Sequence, residues 1–210
     1  MDGIEPVIVD PSDYDRVGVY GKVVGQCRYF LKRNGLREPR RWEAEVTGRH
    51  KKVYGVYFPA RGGRVCVNLS RTPVPVRVPG FRWSYAGYKS DLTVAGVVSH
   101  EVGHHVESVI REMIGEVERE RLSGEWRKVV GCEKRVSSYE PNGSEAFAEA
   151  MRLFILNPDF LRRGRPMRYG FLAGALGFVP PHDLGWDEVL RNAHPRLLAA
   201  ARSWIGRSDG

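Results

Sequence analysis

The sequence predicts an α+β chain, and three observations carry that prediction. A helix-spaced apolar stripe runs over residues 14–34, three short segments rich in β-branched residues follow it, and two further helix-spaced runs lie beyond residue 90. Strands gathered in one part of a chain and helices in the others read as α+β. The 210 residues fit one domain over 1–210, long enough for a substantial core. Within it the sheet belongs to the part over residues 1–90, two central helices to residues 91–158, and a helical end to residues 159–210.

In chain order, residues 1–11 read as extended or loose and end at the turn signal Asp10-Pro11-Ser12-Asp13. Val17, Tyr20, Val24, Cys27, Phe30 and Leu31 then recur at helical spacing, and Asn34-Gly35 closes that helix. The Tyr and Phe of the stripe read as core. Strands are expected at 42–47, 53–58 and 65–69, with Arg61-Gly62-Gly63-Arg64 as a hairpin turn. His50, in a basic turn, reads as solvated. Residues 72–80 hold three prolines and so predict a loop or a sheet edge, because proline removes the amides a ladder needs. The aromatic-rich residues 81–88 fit either a further edge strand at the lip of a cleft or packing behind the helix that follows.

That helix begins at Asp91-Leu92-Thr93-Val94, and Val94, Val97, Val98, Val102 and Val106 give it an apolar band. It runs to Gly115 or, with a break, to Leu122. Residues 116–135 are highly charged and read as a solvated helix or connector. The next helix holds Ser144 to Phe154: Phe147, Ala150, Met151 and Phe154 make an apolar face, while Glu145 and Glu149 share another. Beyond Asn157-Pro158 come an Arg/Gly/Pro-rich turn region, Pro180-Pro181, and a last helix from His194-Pro195 to about Trp204.

The formal charge is +8, with Lys and Arg gathered at 37–41, 49–52 and 162–168. Such clusters suit phosphate or carboxylate contacts, but no nucleic-acid motif accompanies them. Met1-Asp2-Gly3-Ile4-Glu5-Pro6 lacks the basic start and apolar core of a signal peptide, and the apolar run at 171–179 is too short to span a bilayer. No membrane partner is therefore expected, and the location expected is cytoplasmic. Cys27, Cys66 and Cys132, odd in number and widely spaced, read as reduced, structural thiols.

His100-Glu101-Val102-Gly103-His104 is an H-E-x-x-H motif. On a helix, residues four apart share a face, so His100 and His104 can present two imidazoles to one metal ion, with Glu101 near enough to act on a water there. That is the layout of a zinc hydrolase. A catalytic zinc normally takes three protein ligands, and the best third candidate lies in the run from Ser144 to Phe154, whose Glu145 and Glu149 are either solvated or aimed at the metal. Glu145 also fits a helix cap, with Asn142 as the capping residue. His105, rotated about 100° from His104, reads as a residue behind the ligands or at the surface. His182 and His194 each sit beside Pro at a turn or cap.

With Tyr139 and the run Glu145-Ala146-Phe147-Ala148-Glu149-Ala150, the motif resembles the gluzincins. Within these zinc metallopeptidases it looks most like the anthrax lethal factor type of catalytic domain and related phage-encoded zincins. The resemblance covers residues 91–158 and implies a zincin-like fold: an active-site helix under a small twisted mixed sheet whose edge strand pairs with an extended peptide. It implies zinc held by His100, His104 and Glu145, with Glu101 as general base, Tyr139 as oxyanion stabiliser, and Glu149 orienting a ligand. The activity implied is zinc-dependent endopeptidase cleavage of a protein or peptide substrate. Two other readings stand beside it: a repressor-cleaving regulatory zincin of a mobile element, and a basic nucleic-acid or partner-binding module whose zinc is structural or vestigial.

Overall fold

A computed structural model describes residues 14–45, 53–70, 72 and 92–181. The expectations for residues 1–11, 46–52 with His50, 73–91, and the last helix with His182 and His194 lie outside the described residues. Among those described, six α-helices and a three-stranded mixed sheet make an α+β fold.

The first stripe forms α1 (Tyr14–Arg33), with Tyr20, Val24, Cys27, Phe30 and Leu31 buried. Its end lies at Asn34-Gly35: the Asn34 side-chain amide donates to Phe30 O at 2.8 Å and Gly35 turns at φ 63°. The three strand segments become β1 (Arg41–Glu45), β2 (Gly55–Phe58) and β3 (Arg64–Asn68), in the order β1-β3-β2. β1 runs parallel to β3, with Trp42 opposite Val65, and β2 runs antiparallel to it, with Tyr57 opposite Val65. The Arg61-Gly62-Gly63-Arg64 turn does join β2 to β3, through three successive residues at positive φ, Arg61, Gly62 and Gly63. β3, in the centre, is buried from Val65 to Asn68, whereas β2 is an edge of the described sheet.

Across β2 and β3 lies α2 (Val94–Met113), started by the Thr93 hydroxyl, which accepts the Gly96 N–H at 3.1 Å. All five valines of its predicted band are buried. α2 ends at Met113, beside the nearer of its two expected limits, Gly115, and the charged stretch beyond is a separate helix that passes Leu122. Ile114 is extended at φ −106° and ψ 149°, and α3 (Glu116–Cys132) restarts after Gly115. α3 is mainly solvated, as its charge predicts, and enters the core with Leu122 and Trp126.

α4 (Gly143–Leu156) packs along α2 and departs from the two-faced helix expected, since 146–156 are buried all round, including Glu149 and Arg152. The turn region predicted after Asn157 is instead helical, as α5 (Pro158–Gly164) and α6 (Pro166–Gly170), followed by a π-helical turn at Phe171–Ala175. Both prolines open their helices, where a missing N–H leaves no bond unmade. Arg168, counted in a basic cluster, is fully buried against Glu140. Of the cysteines, burial pushes the Cys27 and Cys66 thiols up to about 12 and about 11. Cys132, expected to be structural, is exposed at the end of α3. No helix of the described residues is long and apolar enough to cross a membrane.

Candidate metal centre

The centre sits where α2 and α4 are closest. A Cβ on Gly103 would lie 2.6 Å from Ala148 Cα and 3.0 Å from Ala148 O, so only glycine lets the α2 backbone approach α4 this far. The contact is between main chains, which cannot give way as a flexible side chain would. Gly103→Ala is therefore expected to destabilise the fold by about 1–3 kcal/mol through overpacking and to weaken metal binding by spreading the two helices. A urea midpoint and zinc affinity equal to those of the native protein would show that the helices can part without cost.

Across that approach, His100 Nε2 lies 3.0 Å and His104 Nε2 3.4 Å from Glu145 Oε2. The candidate ligand atoms of the three residues all lie within 4.8 Å of one another. Donors about 2.0–2.2 Å from a tetrahedral zinc are separated by about 3.3–3.6 Å; the 3.4 Å separation falls in that range and the 3.0 Å one just below it, so small side-chain shifts would admit a metal. The structure also resolves the two roles open to Asn142 and Glu145. The Asn142 side chain accepts the Glu145 N–H at 2.9 Å and caps α4, while the Glu145 carboxylate turns away from the cap towards the histidines.

Electrostatics mark the same point as a place for positive charge. Glu145, hydrogen bonded to His100 and His104, is held down to about 2. Burial opposes a proton on His100, but the carboxylates of Glu145 and Glu149 at its two ring nitrogens raise it to about 9. Glu149 accepts from His100 Nδ1 at 2.8 Å and is gripped by the buried Arg152 guanidinium at 2.9 Å. Although burial works against ionisation, Arg152 and His100 keep Glu149 well below the usual carboxylate range. Glu149 thus stands behind His100, and Glu145 faces the point where both histidines converge.

Glu101 is buried beside this point and is not among the converging donors. Burial pushes its carboxyl up, against the pull of His100 and His104, and the Tyr57 backbone N–H of β2 bonds to it. A Cβ on Gly55 would come within 2.8 Å of Glu101 Oε1, so the edge strand passes directly over this carboxylate. Tyr139 places its ring 5.7 Å from that of His100 and is 51% exposed, open to a molecule arriving at the site. Burial and then the Glu145, Glu101 and Glu149 charges raise its phenol, which keeps it protonated and able to donate.

His105 is the site-region residue placed differently from expectation. It is fully buried, donating from Nε2 to Arg37 O at 2.7 Å and meeting the Tyr57 hydroxyl from Nδ1 at 3.2 Å. It therefore ties α2 to β2 and the α1–β1 connection, and is not part of the group formed by His100, His104 and Glu145. Five supporting residues were not foreseen. Arg152 had a signal, being one helical turn after Glu149. Ser144 and Glu107, which meet each other at 2.5 Å beside His104, had none, and neither did the Arg168–Glu140 pair. Glu140 accepts the Val136 and Ser137 amides and so folds the loop that presents Tyr139.

Comparison of the chain with family profiles, curated proteins and solved structures found no match.

Proposed function

We propose that the chain is a metallohydrolase of the zincin class, with zinc held by His100, His104 and Glu145. More particularly, it is a zinc-dependent endopeptidase acting on an extended segment of a protein substrate. The observation that carries this reading is the convergence of two imidazole nitrogens and one carboxylate oxygen beside a further buried carboxylate, that of Glu101, which is not one of them. When bound, zinc would supply Lewis-acid polarisation of the scissile carbonyl and acidify a water.

The rest falls to the chain's own groups. Glu101, its proton affinity raised by burial, takes the proton of the attacking water and later passes it to the leaving amine. Tyr139 donates its phenolic proton to the oxygen on which negative charge develops. β2 supports a peptide substrate in particular. An extended segment added to the edge that β2 presents among the described residues would lie about 4.8 Å away, with main-chain hydrogen bonds fixing it alongside Glu101.

The purified protein should hold one zinc per chain and cut peptides, lose cutting with a chelator and regain it with zinc. Native protein without zinc, or cutting unaffected by metal removal, would refute the reading. Tyr139→Phe should keep zinc and fold but lower turnover by about 10²-fold or more, as loss of one oxyanion donor does. Unchanged turnover on a good peptide would reduce Tyr139 to a packing residue.

A further inference from the structure

The far nitrogens of the two ligand histidines are supported in different ways. His100 Nδ1 meets Glu149 directly at 2.8 Å, in a buried pair with Arg152. His104 Nδ1 instead lies 3.4 Å from Ser144 Oγ, and that hydroxyl donates to Glu107 Oε2 at 2.5 Å. Arg111, one turn further along α2, holds Glu107 Oε1 at 2.6 Å. A serine hydroxyl has one proton and two lone pairs. With its proton given to Glu107, which can only accept when ionised, Ser144 has only lone pairs to offer His104 Nδ1. The ring must then carry its proton on Nδ1 to make the contact.

We propose that Ser144 and Glu107 are positioning residues for His104, fixing the Nδ1-protonated tautomer so that the Nε2 lone pair faces Glu145. The inference rests on the zinc-site reading above and adds to it residues that neither the H-E-x-x-H motif nor the second helix motif includes. The two come from the two helices the site joins. Ser144 directly precedes Glu145 at the start of α4, and Glu107 follows His104 by three residues on α2. The relay therefore orients one ligand while tying down the first turn that carries another. Outer partners of ligand histidines typically change metal affinity about 10 to 100-fold, and a serine-mediated link belongs near the lower end of that range.

The test uses the full chain and three variants, Ser144→Ala, Ser144→Thr and Glu107→Gln, each checked for an unchanged urea midpoint. Zinc affinity is measured by chelator competition, and the His104 tautomer by nitrogen-15 NMR of zinc-depleted protein. Ser144→Ala should bind zinc about 10-fold more weakly and mix the His104 tautomers, while Ser144→Thr, which keeps the hydroxyl, should restore both. Glu107→Gln retains the shape but can donate to Ser144, allowing the hydroxyl to reverse towards His104, so it should move the ring towards the Nε2-protonated form. A native tautomer and affinity in both Ser144→Ala and Glu107→Gln would overturn the proposal. Should the native chain bind no zinc, the metal reading fails, and the tautomer alone decides the relay: Nδ1-protonated supports it, Nε2-protonated overturns it.

Discussion

Glu101→Gln is expected to lower peptide turnover by about 10²–10⁴-fold, the usual contribution of a general base, with zinc content unchanged. Gln has the shape of Glu and can still accept the Tyr57 amide that holds Glu101 beneath β2, but it cannot take up the proton of a water. Metal content should persist because Glu101 is outside the group formed by His100, His104 and Glu145. The measurement is kcat on a peptide substrate together with metal analysis of the same preparation. Turnover at the native rate would remove Glu101 from the chemistry. If both native and variant proteins held zinc and neither cut any protein in a survey of new N-termini, the binding-module reading would be favoured instead.

The second large effect lies at Glu149. Glu149→Ala should cost about 3–5 kcal/mol of stability, because it breaks the ion pair that Glu149 makes with the Arg152 guanidinium, whose side chain is 0% exposed. Removing both charges with Glu149→Leu plus Arg152→Met should restore much of that stability, since well-packed apolar pairs replace buried ion pairs at little cost. The double variant should still bind zinc about 10 to 100-fold more weakly, because His100 Nδ1 has lost its acceptor. Glu145→Ala should show the opposite pattern. It should lose most of the zinc at limiting metal while keeping a near-native urea midpoint, because Glu145 is part-exposed and its ion pairs among the described residues are with the two histidines. If Glu149→Ala lost the metal outright with an undiminished midpoint and Glu145→Ala kept it, the two carboxylates would have to exchange roles.

The elements legible in the sequence were those set by short-range rules. The Thr93 cap, the valine band of α2, the Asn34-Gly35 stop and the glycine turn before β3 each follow from local geometry. The convergence on Glu145 was legible for another reason: helical spacing fixes which side chains share a face, and the resemblance of the sequence to the gluzincins points to the partner helix. Burial of α4 on all sides was not legible. It depends on how α1, α2 and α5 surround it, and nothing in the letters of Glu149 and Arg152 says that the two charges are buried together. Arg168 misled for the same reason, since a guanidinium inside the fold has the same letter as one in water. His105 was missed because its partners, Arg37 O and Tyr57, come from distant parts of the chain.

The buried arginines also set the charge the site has left to offer. Arg152 cancels Glu149 and Arg168 cancels Glu140, so of the carboxylates gathered here Glu101 and Glu145 have no Lys or Arg partner among the described residues. With neutral imidazoles, their two negative charges equal in size the charge of a divalent ion, so the interior would become neutral on loading. The whole chain, at +8, repels the same ion from outside. Salt confines both fields to about 8 Å at physiological ionic strength, so an arriving cation is turned away by the molecule at large and drawn in only at the mouth of the site.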